Sequence, residues 1–162
     1  MDLTTAVNKY RKVVFHVALG YVKSVHDADD IAQNVFLKFC DKSDTLLTEE
    51  AAKAWLIRVA INESKNHLKS AWLKRRSDLD ESMIMPEDDS LGVIEYVKRL
   101  KPKYRTVIYL YYYERYSAND IARLLKMPPS TVSTHLQRAR EQLKEIIIKE
   151  ENYNGKQARS II

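Results

Sequence analysis

The sequence predicts an all-α protein: two small helical domains joined by an acidic flexible linker, the C-terminal one a helix-turn-helix. Three observations carry that reading. Only three Gly and four Pro occur in 162 residues while Leu, Ile, Lys, Arg, Glu and Ala are abundant, which favours long helices over a turn-dense β fold. Apolar residues recur at steps of three and four along much of the chain, the period of a helix with one buried face. Charge falls in blocks: residues 1–76 hold 13 Lys/Arg against 9 Asp/Glu, residues 77–90 hold none against 6, and residues 91–162 hold 14 against 7. Two basic blocks about an acidic spacer fit two domains, 1–76 and 91–162, that each meet a polyanion.

In the first block Leu3, Val7, Tyr10, Val14, Val17 and Tyr21 define a helix that ends near Gly20 or shortly after, with His16 at its edge or on the surface. Ser24 and Asp27 form a capping box for a second helix. Its apolar face is Ala28, Ile31, Ala32, Val35, Phe36, Phe39 and Cys40, the thiol acting as a small buried hydrophobe. The other face carries Asp29, Asp30, Gln33, Asn34, Leu37 and Lys38, which is either a solvated acidic surface or, through its exposed leucine, a docking surface for another protein. Asp41 to Leu47 loses periodicity and reads as a loop before a helix capped near Thr48. That helix is expected from Glu49 to about Arg76, with Trp55, Leu56, Val59, Ala60 and Leu68 inside. Arg58, Asn62, Lys65, Asn66 and Lys69 line its other side. A stripe of basic and amide groups either tracks phosphates or is a plain soluble face; Lys74, Arg75 and Arg76 just beyond tilt it toward nucleic acid. Trp72 either stacks on a base or packs on the domain.

Ser77 to Ser90 contains Pro86, no basic residue and no sustained apolar period, and reads as the linker. Leu91, Ile94, Val97 and Leu100 resume a helix, and Pro102 suits the first turn of the next. Most of the five tyrosines between 109 and 116 are expected to wedge between helices with their hydroxyls at the surface. Ser117 with Asp120 starts a further helix that Pro128 stops near Lys126. Ser130 or Thr131 then caps a last one, anchored by Val132, Leu136, Ala139 and Leu143. Its outward residues are Ser130, Thr131, Ser133, Thr134, His135, Gln137 and Arg138, groups that bond base edges and phosphates. Beyond Lys144 the end of the chain is expected to fray.

Other classes find little support. A single cysteine, Cys40, excludes an internal disulfide, and the four scattered histidines assemble no zinc-type ligand set by spacing. The start has no basic stretch followed by an apolar core, and no run reaches the roughly 18 apolar residues of a membrane span. A cytoplasmic protein with no cofactor, no metal and no catalytic residue is expected. An enzyme built on Asp27, Asp29 and Asp30 is disfavoured because adjacent carboxylates diverge on a helical turn and no glycine-rich phosphate loop accompanies them. A stand-alone regulator that binds an operator without polymerase explains residues 91–148, but leaves the helices at 27–39 and 54–69 without a role.

The order of these segments resembles the extracytoplasmic-function sigma factors, the smallest members of the sigma-70 family, over nearly the whole chain. D-A-D-D-I-A-Q-N-V-F-L-K-F at 27–39 looks like the helix that docks on the clamp helices of bacterial RNA polymerase. The resemblance assigns that contact to Asp30, Gln33, Asn34 and Leu37. A-W-L-I-R-V-A-I-N-E-S-K-N-H-L-K at 54–69 is similar to the helix that faces the −10 promoter element. Residues 100–122 and T-V-S-T-H-L-Q-R-A-R at 131–140 look like the domain that binds the −35 element. The implied activity is non-enzymatic: the protein binds core polymerase, reads −35 and −10, and helps open the duplex. By the same resemblance Asp41 to Thr48 is a base-capturing loop, the linker threads polymerase toward the RNA exit path, and an anti-sigma partner holds the protein inactive. The chain departs from the family where Pro129 and Ser130 precede Thr131 in place of glycine, where Ser133 and His135 replace common cations, and at Asn66 and Lys69, so base preference and −10 packing are not carried over.

Overall fold

The structure is a computed structural model that describes residues 1–73 and 94–161, with side chains over 1–70 and 95–154. The linker 77–90, Lys74 to Arg76, Leu91 and the side chain of Trp72 lie outside what it describes. The chain divides into two compact units, Met1–Pro86 and Glu87–Ile162.

In the first unit α1 (Leu3–Val22), α2 (Val25–Lys42) and α3 (Glu49–Leu73) pack against one another, each touching both others. Their starts are set by short polar side chains that accept from orphan amides. The Asp2 carboxylate accepts from Thr5 N–H at 2.9 Å, Ser24 Oγ from Asp27 N–H at 3.2 Å and Thr48 Oγ1 from Ala51 N–H at 3.1 Å. α1 ends at Val22, shortly after Gly20 as expected, where Lys23 takes a left-handed conformation (φ 60°) and closes the last turn onto the Leu19 carbonyl.

Because α1 touches both neighbours, its buried surface is wider than one stripe. Val13, Ala18 and Leu19 join Tyr10, Val14, Val17 and Tyr21 inside, whereas Leu3 is exposed and Val7 half-buried. The same geometry corrects the expectation for His16, which is buried and donates its Nδ1 proton to the Lys12 carbonyl at 2.8 Å. Cys40 is corrected the other way. Phe39 is fully buried, and a step of 100° along the helix turns Cys40 to solvent. In α3 the buried residues are Ala52, Leu56, Ile57, Ala60, Ile61 and Ser64; Trp55 and Val59 are half-buried and Leu68 is exposed. The expected loop at 41–47 is largely helical: α2 runs to Lys42, a 3-10 turn covers Ser43–Thr45, and irregular chain remains only from Leu46 to Thr48.

The second unit comprises α4 (Ile94–Val97), α5 (Pro102–Ile108), a π-helical turn over Tyr109–Tyr113, α6 (Ala118–Leu125) and α7 (Pro129–Ile161). Pro102 sits in the first turn of α5 as expected. Arg105 is buried at 2 % exposure and donates through Nη1 to the Lys98 carbonyl at 3.0 Å, joining the turn before α5 to the core. Among the tyrosines, Tyr109 is buried and the others in the run are half-buried. Tyr109 donates its hydroxyl to Glu114 at 3.0 Å; burial, then the Glu114 charge, raises its pKa far above the ordinary value.

Candidate nucleic-acid interface

The helix-turn-helix is built from α6 and the first turns of α7. Ser117 Oγ accepts from Asp120 N–H at 3.1 Å, and the Asp120 side chain pairs with Arg123. The hydrogen bond from Ser117 and then Arg123 hold the Asp120 carboxyl below the usual carboxylate range. α6 stops through the backbone: Lys126 adopts φ 53°, and Met127 N–H bonds the Ala122 carbonyl at 3.0 Å, the six-to-one bond of a Schellman ending. Pro128 then supplies the carbonyl that accepts from Thr131 and Val132 N–H at 3.0 and 3.2 Å, so α7 begins at Pro129. Ser130 and Thr131 therefore lie inside the first turn and are not its cap. Pro129 has no N–H to leave unsatisfied there, which is why the start moves forward.

Val132, Leu136 and Ala139 are buried and Leu143 half-buried, which seats α7 on α5 and α6. That leaves Ser130, Ser133, Thr134, Gln137 and Arg138 exposed and Thr131 half-exposed. Thr134 Oγ1 donates to the Ser130 carbonyl at 2.9 Å, so its hydroxyl offers outside partners lone pairs rather than a proton. Gln137 reaches Glu141 at 3.3 Å. His135 is less outward than expected: half-buried, with its ring edge-on to Tyr104 at 5.6 Å and 88°. Burial, with Lys103 and Arg138 nearby, lowers its pKa, so the imidazole is neutral at pH 7.

Two cations of this surface escaped the sequence reading. Lys103 lies over the Tyr104 ring at 5.0 Å, close enough to His135 to affect its titration. Arg140 donates through Nε to the Tyr112 hydroxyl at 2.8 Å and stacks over the Tyr111 and Tyr112 rings at 5.5 and 5.7 Å, tying α7 to the π-helical turn. Beyond the helix-turn-helix, α7 continues to Ile161, with Glu150 paired to Arg99 at 3.3 Å.

In the first unit Asn62, Lys65, Asn66 and Lys69 are exposed and Arg58 half-buried, all within an arc of about 100° on α3, opposite Ala60 and Ser64. On α2, Asp30, Gln33, Asn34 and Leu37 are exposed together, Leu37 at 66 %. Leu47, in the irregular stretch before α3, is 90 % exposed. Lys38 on α2 pairs with Glu63 on α3, and His67 on α3 pairs with Asp27 on α2 at 3.1 Å, bracing the two helices that carry these faces. No helix among the described residues is long and apolar enough to cross a membrane.

Comparison with known proteins gives these faces a family. Residues 6–74 match Sigma-70 region 2 and residues 91–143 match Sigma-70, region 4, in that order and together spanning most of the chain. The extracytoplasmic-function (ECF) RNA polymerase sigma factor SigW of Bacillus subtilis is 26% identical over 159 residues, covering 86% of this chain and 85% of the relative. The RNA polymerase sigma-H factor of Pseudomonas aeruginosa is 27% identical over 156 residues, covering 83% and 80%. Among solved structures, the sigma factor RpoE in complex with the anti-sigma factor NepR from Bartonella quintana matches with a TM-score of 0.69 at 20% identity, over 89% of this chain and 95% of that one. CnrH in complex with the cytosolic domain of CnrY matches with a TM-score of 0.64 at 19% identity, over 91% and 88%. The chain belongs to the extracytoplasmic-function group of the sigma-70 family and is a transcription initiation factor that directs RNA polymerase to specific promoters.

Proposed function

We propose that the two units divide promoter recognition between them. The α7 face of Ser130, Thr131, Ser133, Thr134, His135, Gln137 and Arg138 reads the −35 element in the major groove. The α3 stripe of Arg58, Asn62, Lys65, Asn66 and Lys69 contacts the −10 element. The α2 face of Asp30, Gln33, Asn34 and Leu37 docks on the clamp helices of core polymerase. The single observation that carries this reading is the exposure of the three polar faces while the apolar residues behind them are buried.

The chemistry of each face supports its assignment. Hydroxyls, an amide and one guanidinium on the first turns of a helix match base-edge and phosphate recognition. Amide and basic groups along α3 suit phosphates and unpaired bases, and Leu47 offers an apolar wall for an extruded base, which costs a few kcal/mol of stacking to expose. Leu37 among polar groups is a small apolar anchor of the kind protein partners use. Domain 1–76 is thus the polymerase-docking and −10 domain, 77–90 the linker that threads the polymerase, and 91–162 the −35 domain. The chain acts in the cytoplasm by binding rather than by catalysis. An anti-sigma factor restrains it, a reading supported by the two solved complexes of similar fold. Gln33→Ala with Leu37→Ala should abolish capture of core polymerase while the −35 affinity of the chain is unchanged. Loss of both would mean the variant is misfolded, and retention of both would refute the docking face.

A further inference from the structure

We propose that His26, Asp27 and Asp30, at the start of α2, bind a divalent transition-metal ion of the zinc class, with His67 orienting the central carboxylate from α3. By chain spacing the histidines are 41 positions apart and form no motif, but the fold brings both onto Asp27. The His26 Nδ1 atom lies 3.3 Å from Asp30 Oδ2 and 3.9 Å from Asp27 Oδ1, and the three donor atoms all lie within 4.8 Å of one another. Tetrahedral ligands at about 2.0 Å from zinc stand about 3.3 Å apart, so small rotamer changes suffice to close the three around one ion.

One ligand favours a transition metal over a hard cation. The set includes an imidazole nitrogen, which suits zinc, nickel or copper, whereas calcium and magnesium take all-oxygen shells. Two carboxylates neutralise a divalent ion. His67 Nε2 lies 3.1 Å from Asp27 Oδ2, the oxygen not turned toward His26, so its N–H holds the carboxylate with Oδ1 facing the other donors. His26 is 85% exposed, leaving one coordination position open to water or to a partner's side chain. Asp30 also belongs to the docking face proposed above; binding by the free protein does not depend on that role.

Zinc titrated into the full chain by calorimetry tests this, in a Cys40→Ser background so that the exposed thiol does not compete. The expected result is saturable one-to-one binding, undisturbed by excess magnesium and abolished by His26→Ala or Asp30→Asn. His67→Ala should weaken it by about 10–100-fold, with recovery in His67→Gln, which keeps an N–H donor. Cobalt bound in place of zinc should give a visible spectrum that disappears in His26→Ala. Absence of saturable binding, binding equal in His26→Ala, or equal competition by magnesium would overturn the proposal and leave the cluster as His–carboxylate ion pairs only.

Discussion

The polar faces of α3 and α7 are made of different material. On α3 the exposed groups are long or amide-bearing, Asn62, Lys65, Asn66 and Lys69, spread over two turns with little holding the cations in place. On α7 they are mostly short hydroxyls, with the amide of Gln137 and the guanidinium of Arg138, and the imidazole between them is packed on Tyr104. Long flexible cations follow a charged backbone whatever its sequence, whereas short groups on a fixed helix read the edge patterns of particular bases. In the function proposed above, the first face would serve strand capture and the second sequence choice.

Removing the support of the α7 face has the largest expected effect. Leu136→Ala deletes a side chain 3 % exposed beneath the exposed polar residues of that face and should cost about 2–5 kcal/mol in urea denaturation of the second unit. A cost below about 1 kcal/mol would show that α7 is not seated as described. Next in size, Arg138→Ala should weaken −35 binding by roughly 1–3 kcal/mol, measured by fluorescence anisotropy on matched and mismatched duplexes. A loss confined to the matched duplex assigns Arg138 to a base; an equal, salt-sensitive loss on both assigns it to phosphate. Lys65→Ala with Lys69→Ala should act through salt alone. Each lost phosphate contact reduces the slope of log affinity against log salt by about 0.7 on single strands, without altering base preference. A changed −10 preference would erase the contrast between the faces.

The smallest effect is on pH. Because the folded state lowers the His135 pKa, the unfolded chain takes up its proton first as pH falls. The stability that the neutral ring provides is therefore complete above the ordinary histidine value of about 6.5 and is lost as pH drops through the lower folded value. His135→Gln should flatten that decline in thermal melts taken from neutral to mildly acidic pH. An unchanged profile would mean that His135 is solvated rather than packed.

Much of this was legible in the sequence for identifiable reasons. Ser24, Thr48 and Ser117 cap α2, α3 and α6 as their side-chain types require, and the stripes of α2 and α7 follow from helical spacing. What was not legible depends on neighbours. His16 is inside because α1 is covered on two sides, and Arg105 because a carbonyl seven residues earlier accepts from it. Local backbone choices escaped as well: Lys23, Arg115 and Lys126 take positive φ where glycine is the usual signal, and Pro129 rather than Ser130 opens α7. Arg140 and Lys103 reach the candidate site through tyrosine rings, which spacing along one helix does not reveal.

In the function proposed above, both faces serve one polymerase-dependent act. Transcription in vitro by core RNA polymerase on a promoter library, with and without the protein, tests it most directly. Transcripts are expected from a defined set of promoters sharing −35 and −10 elements, only when the protein is present, with Arg138→Ala altering selection at the −35 end and Lys65→Ala weakening all of them alike. Tight binding of a duplex operator by the protein alone, with no transcript and no association with core polymerase, would contradict it.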